Sequence, residues 1–460
     1  MEKRKLLLKI NSLILLVLAI TLISGCNSST SNQESIVDFQ QVKHVEWSKN
    51  LSIYEANVRQ FTPEGTFNAF AEHLPRLKEL GTDIIWLMPI HPIGEKNRKG
   101  SLGSYYAVQD YFAVNPEFGT EDDFRNLIAK VHELDMYVII DWVANHSAWD
   151  NKMITKNPDW YRTDEKGNIV PPVPDWSDVA GFNYEVPEMQ EYMIEALEFW
   201  IKEFNIDGYR CDVAGMVPVE FWNKARYALD KIKPVFMLAE ANEPELHEYA
   251  FDMTYAWTMH FLWNEIAQGE KTIDDLVNQF EIENTNYNAS DYRMNFTSNH
   301  DENSWKGTVY ERLGDAVKTF AVFSVTRPGM PLIYSGQEAC LNKKLRFFDK
   351  DTIEWNVECD LDELYSTLLK LKKENPALWN GDFGGAMERI TTTADDKVFA
   401  FSRIKDENKV ITILNLSTEE VEFEIADEID GTNIKELFTD EEFSTNYKLT
   451  AWGYKVFRTE

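Results

Sequence analysis

Between Leu51 and about Asn375, short apolar runs alternate with longer segments whose apolar residues recur every three or four positions. The runs Ile53–Val58, Asp83–Met88, Tyr137–Asp141, Gly208–Asp212, Val235–Glu240, Phe251–Tyr255, Arg293–Thr297 and Pro331–Ser335 read as buried strands. A strand covered on both faces is apolar nearly throughout, where a half-exposed strand alternates. Thr66–Leu80, Thr120–Glu133, Met189–Phe204, Glu220–Lys231 and Gly314–Thr326 read as amphipathic helices. In Met189–Phe204 one face is marked by Met193, Leu197, Trp200, Ile201 and Phe204. Eight strand candidates interleaved with helices predict an α/β fold, a closed (β/α)8 barrel over residues 51–375.

Two stretches break this rhythm. Ser147–Pro187, after the third strand, is rich in Pro, Trp, Asp and Asn and shows little periodicity. A long connection inside a compact domain is usually functional, and this one (residues 147–187) is expected to overhang the strand ends. Beyond about Asn375 the pattern changes to alternating strands, Lys397–Ile404, Val410–Leu416, Val421–Ile425 and Tyr454–Thr459, with a hairpin turn at Lys405–Asn408. Residues 376–460 therefore read as a C-terminal antiparallel β-sandwich domain.

The N-terminus carries a different signal. Basic Met1–Lys5 precedes the mostly apolar Leu6–Leu22, followed by Leu22-Ile23-Ser24-Gly25-Cys26. That order is an export signal, and small residues directly before a Cys resemble a bacterial lipobox. The expectation is a signal peptide over residues 1–26, ending at a lipidated Cys26, then a polar tether and lead-in over 27–50. This places the protein at the bacterial cell envelope, membrane-attached through lipid and extracytoplasmic. Cys211, Cys340 and Cys359 show no paired spacing, so neither a disulfide framework nor a zinc site is expected. A formal net charge of −31 disfavours nucleic acid and anionic polysaccharides and suits a neutral substrate. A monomer is expected.

Four segments deliver polar chemistry at the exits of apolar runs: Val138–His146, Asp207–Asp212, Phe236–Glu240 and Phe296–Asp301. Strand C-termini converge on one rim of a barrel, so these residues should share a site. Asp212, Glu240 and Asp301 then come from three different strands. Two carboxylates, one nucleophile and one proton donor, are what glycosidic cleavage requires. Arg210, two positions before Asp212, faces the same way on a strand and is expected to keep Asp212 ionised. Glu240, after Phe236–Ala239, is expected to be partly desolvated, as a general acid requires. His146 and His300 can donate hydrogen bonds to sugar hydroxyls. Taken singly, each acid is more often a helix cap or an ion-pair partner.

With these residues in place, the chain resembles the α-amylase family, glycoside hydrolase family 13, over nearly everything after the tether. Asp141–His146 resembles the family's first conserved region, Gly208–Asp212 the second, the run ending at Glu240 the third, and Phe296–Asp301 the fourth. Gly103–Tyr111 is similar to the loop whose Tyr, here Tyr106, stacks on the sugar being cleaved. Pro328–Glu338 resembles the eighth strand, and Trp452-Gly453-Tyr454 the closing strand of the C-terminal module. The resemblance implies Asp212 as nucleophile, Glu240 as general acid/base and Asp301 as transition-state stabiliser. It also implies that Tyr106, His146, Arg210, His300 and Asp141 serve the substrate, and that α-glucans are cleaved with retention.

Two departures bear on the family's calcium. Asn145 matches a ligand, but Gly181 stands where an Asp is usual, and Gly215 and Met216 replace a Lys-His pair. Calcium takes several oxygen ligands, so no cofactor is expected to be required. Asp175 or Asp178 is the alternative source of a carboxylate. The reading is a retaining hydrolase of α-1,4-glucosidic bonds in starch-like glucans and maltooligosaccharides. The alternatives are a cyclomaltodextrinase, neopullulanase-like or 4-α-glucanotransferase activity and, in another class, a non-catalytic surface glucan-binding lipoprotein.

Overall fold

The structure, a computed structural model, describes residues 39–355, 358–429 and 433–459. The signal segment, Cys26 and the tether to residue 38 lie outside the described residues. Among the described residues no helix is long and apolar enough to cross a membrane.

All eight strand candidates form strands: β1 (Ile53–Ala56), β2 (Ile84–Leu87), β3 (Tyr137–Trp142), β4 (Gly208–Cys211), β5 (Phe236–Ala239), β6 (Met253–Tyr255), β7 (Tyr292–Asn295) and β8 (Met330–Tyr334). They close into a parallel ring in chain order, β8 pairing back onto β1 through Leu332 and Ile53. Two apolar shells result. An inner one contains Ile53, Trp86, Ile139, Leu238, Met253 and Met294; an outer one joins the strands' other faces to the helices. Val45 and Leu51 cover the N-terminal end of the barrel, where Trp47 stacks on Tyr137 with ring centroids 3.9 Å apart.

The helices follow the periodicity with one break. Thr120 caps Glu121–Glu133 through a reciprocal capping box with Asp123. The helix expected over Thr66–Leu80 is instead two, Phe67–Ala71 and Leu74–Leu80, separated at Glu72-His73, with Pro75 in the first turn of the second. Proline lacks the amide hydrogen and crowds the carbonyl four residues earlier. Among the helices that the periodicity left unassigned, the long ones are Trp257–Ala267, Ile273–Asn286 and Leu361–Glu374.

The excursion after β3 is pinned by a short antiparallel ribbon, His146–Ala148 with Val179–Gly181. Beyond the barrel, a five-stranded antiparallel sheet and the pair Val421–Glu424 with Asn446–Leu449 share a core of Val398, Ile411, Phe423 and Leu449. These two layers make the C-terminal sandwich. Phe399 and Phe401 seat it on Phe323 of the barrel's outer helices, with centroids 5.6 and 5.7 Å apart.

The cysteine expectation is corrected. Cys340 and Cys359 form a disulfide, their Cα atoms 5.7 Å apart. The two positions, 19 residues apart in sequence, are neighbours only because the chain leaving β8 loops out and returns to the start of Leu361–Glu374. No repeated spacing marks such a pair. Cys211 is free and buried.

Candidate active site

Alternation along the strands decides what meets inside the ring. Ile53, Ile139, Leu238 and Met253 belong to the inner shell. The residues two positions further on, Glu55, Asp141, Glu240 and Tyr255, therefore also face inward, at the C-terminal ends. Arg210 lies between Tyr209 and Cys211 of the outer shell and faces inward as well. Asp212, two positions past it, continues that direction.

Arg210 is fully buried and organises the centre. Its Nη1 donates to Asp141 Oδ1 at 2.8 Å and to Asp212 Oδ1 at 3.1 Å, and its Nε donates to the Tyr255 hydroxyl at 3.1 Å. Its Nη2 forms an ion pair with Glu240 Oε2 at 2.9 Å. Trp86 lies 5.0 Å from the guanidinium and donates its indole N–H to Asp141 Oδ2 at 3.1 Å. The residue after Asp212, Val213, has φ +37°, a left-handed conformation rarely adopted by a β-branched residue. That conformation aims its amide at Glu240 Oε2, 2.7 Å away.

One cation thus serves three carboxylates, and the balance of charge follows. Burial, then Glu240, pushes the Asp212 carboxyl well up, and Arg210 only partly offsets them. The guanidinium expected to keep Asp212 ionised is in contact with it and acts against burial and Glu240. Burial raises Asp141 to about 6 against the same guanidinium. Both carboxyls lean on the same guanidinium, so these upward shifts belong to the coupled group more than to either member.

His300 supplies a second cation. Its Nδ1 contacts Glu55 Oε1 at 2.5 Å, and its Nε2 lies 2.7 Å from the Tyr106 hydroxyl and 3.4 Å from Asp301 Oδ2. Although burial opposes its charge, Asp301 and Glu55 raise it to about 9. Tyr106 also donates to Asp141 Oδ2 at 3.1 Å, joining the two charged groups. His146 carries no such partner, and burial lowers it to about 3, leaving a neutral ring suited to hydrogen bonding.

These groups open onto one cavity of about 480 Å³, lined by Tyr106, His146, Asp212, Glu240, His300 and Asp301. Two of the residues expected at the substrate, Arg210 and Asp141, lie beneath it instead, fully buried and acting through the carboxylates. The sequence reading missed the walls: Trp176 on the excursion after β3, and Trp305, Phe347 and Phe348 opposite. It also missed Glu55, although a lone acid inside Ile53–Ala56 was a visible signal.

The surroundings of Asn145 do not fit calcium. Its Oδ1 is buried without a partner, yet no group of three or more His, Cys, Asp or Glu that could hold a metal exists among the described residues. A side chain at Gly181 would bring its Cβ within 3.2 Å of the Pro172 nitrogen. Asp178 is paired with Lys99 at 3.0 Å and lines the catalytic cavity instead.

Fold and site together define a (β/α)8 barrel with inward carboxylates from several strand ends around one guanidinium. Residues 30–180 and 173–385 match the α-amylase catalytic domain, and residues 389–456 match the maltogenic amylase C-terminal domain. The chain belongs to the α-amylase family. It is similar to the crystal structure of a noncanonic maltogenic α-amylase from Thermotoga neapolitana. The identity is 31% and the TM-score 0.79, over 89% of this chain and 96% of that one. It is 26% identical to an α-amylase from Haloarcula japonica over 84% of this chain, and 27% identical to a cyclomaltodextrinase from a Bacillus species over 76%. It spans 58% and 65% of the lengths of those two relatives.

Proposed function

We propose that the protein hydrolyses α-1,4-glucosidic bonds of starch-like glucans and maltooligosaccharides with retention, as an α-amylase. The observation that carries this reading is the convergence of Asp212, Glu240 and Asp301 on one cavity above Arg210. In this mechanism Asp212 attacks the anomeric carbon while Glu240 gives its proton to the departing glycosidic oxygen, leaving a glucosyl ester on Asp212. Glu240 then takes a proton from water, which attacks the same carbon and frees Asp212. Asp301 faces the positive charge that develops on the sugar ring in both steps. Tyr106, His146 and His300 bind the sugar, and Arg210 and Asp141 hold the carboxylates in place.

The decisive experiment follows early products from maltooligosaccharides by proton NMR. Release of the α-anomer first supports the reading, and release of the β-anomer first overturns it.

A second reading, cyclomaltodextrinase or maltogenic action, draws support from the C-terminal module, whose match is to the maltogenic amylase domain. A time course on starch, pullulan and cyclodextrin separates the two. For location, the proposal is a lipid anchor at Cys26 on the extracytoplasmic side. The Cys340–Cys359 disulfide supports it, because such bonds persist in oxidising compartments. Cys26→Ala should move the protein out of the detergent phase with specific activity unchanged.

A further inference from the structure

Directly after Asp301, the chain makes one wide turn over Glu302–Lys306. The Gly307 N–H donates to the Glu302 carbonyl, five residues back, at 3.0 Å. Such single wide turns recur at functional sites, because the extra residue re-aims a side chain. Here the turn brings the Trp305 indole N–H to Asp301 Oδ1, 3.2 Å away. The carboxylate is then held from both sides, with His300 Nε2 at 3.4 Å from its other oxygen.

The same indole has a second face. Trp305 is 50% exposed, although it is among the largest apolar side chains of the protein, and it lines the catalytic cavity. Its ring lies 5.1 Å from Phe347, which in turn lies nearly parallel to Tyr106 at 6.2 Å. An apolar strip therefore runs from Tyr106 through Phe347 to Trp305 along one side of the cavity. The strip is tied to the wide turn through Asn303. Its Oδ1 accepts from Leu345 N at 2.9 Å, and its Nδ2 donates to the Lys343 carbonyl at 3.0 Å.

We propose that Trp305 is a positioning residue for Asp301 and, with Phe347, the stacking wall for a glucosyl unit of the bound chain. The N–H sets the orientation of the carboxylate that meets the developing charge. The ring offers an apolar surface to the C–H face of a pyranose. One residue thereby couples occupancy of the wall to the geometry of the stabilising carboxylate. The inference rests on the glucan-hydrolase reading.

Trp305→Phe keeps a ring and deletes the donor. It should lower kcat on maltooligosaccharides about tenfold, the scale of one hydrogen bond to a charged acceptor, with KM nearly constant. Trp305→Ala removes the ring too. In an Asp212→Asn background it should weaken maltotriose binding, measured by calorimetry, by about tenfold. Thermal melts check that each variant is folded.

Wild-type kcat in Trp305→Phe, or a loss confined to KM, would overturn the positioning role. Unchanged maltotriose affinity in the Trp305→Ala pair would overturn the wall. A wild-type protein that binds maltotriose through Trp305 yet releases no reducing ends would leave the wall standing and sink the hydrolase reading alone.

Discussion

The backbone amide of Val213 donates to Glu240 Oε2 at 2.7 Å, so the residue after one essential carboxylate fixes the position of the other. The left-handed backbone of Val213 makes this contact. Val213→Gly removes the steric cost of that conformation, about 1 kcal/mol, so stability in urea should stay constant or rise. The freed backbone holds Glu240 less firmly, and kcat should fall several-fold. A variant less stable than wild type with unchanged kcat would argue that Val213 is there for packing.

The roles of the two carboxylates separate by leaving group. Asp212→Asn removes the nucleophile and should abolish turnover of every α-glucoside. Glu240→Gln should spare aryl glycosides with good leaving groups, which need little proton donation, and lose about a hundredfold or more on maltooligosaccharides. Equal losses on both substrate types would assign the proton to another group.

Glu55 is one of two carboxylates that favour the charged form of His300. Asp301 and Glu55 hold His300 up at about 9, above its ordinary 6.5. A group whose folded value is raised contributes stability that is full below its unfolded value and lost as pH rises through the folded one. For His300 the window of loss runs from 6.5 to about 9. Glu55→Gln removes one of the two negative neighbours, so the titration midpoint of His300 by NMR should fall. The alkaline limb of kcat/KM should move to lower pH with it. An unmoved midpoint would assign the shift to Asp301 alone.

The barrel was legible because each strand, buried on both faces, is an unbroken apolar run, and because Asp212, Glu240 and His300 sit at or just past the ends of such runs. Glu55 was passed over because it sits inside a run instead of at its end. Trp257–Ala267 hid because its apolar residues cover most of its circumference, which blurs the helical period. Trp305 and Phe347 lie on irregular backbone, where no period exists to mark a shared face. Their role emerges only from the turn at Glu302–Lys306 and the hydrogen bonds of Asn303. The Cys340–Cys359 bond was illegible for the same reason, since the fold and not the spacing joins its ends.

That disulfide closes the segment carrying Phe347 and Phe348, so it constrains the unfolded chain as well as the site. Closing a loop of roughly this length is worth about 3 kcal/mol in the chain-entropy account. Cys340→Ser should lower unfolding stability by about that amount. Peptide mapping without reductant should recover residues 340 and 359 in one cross-linked fragment of the wild-type protein. An unchanged melting profile in the variant would mean that hydrogen bonds, from Gln60 to the carbonyls of Arg346 and Asp349 and between Asn303 and both Lys343 and Leu345, hold the segment without the disulfide.

Calcium gives the last prediction. An ion that binds only the native state stabilises it by mass action, about 4 kcal/mol at a thousand times its dissociation constant. Around Asn145 the carboxylate that would anchor such an ion is absent. Gly181 has no side chain, and its position is crowded by Pro172, while Asp178 is engaged by Lys99. The melting temperature should therefore be the same in excess chelator and in millimolar calcium. A chelator-induced drop reversed by calcium and not by magnesium would show that Asp178 leaves Lys99 to complete a cage with the unpartnered Asn145 Oδ1. In that event Lys99→Met, which frees Asp178, should tighten calcium binding.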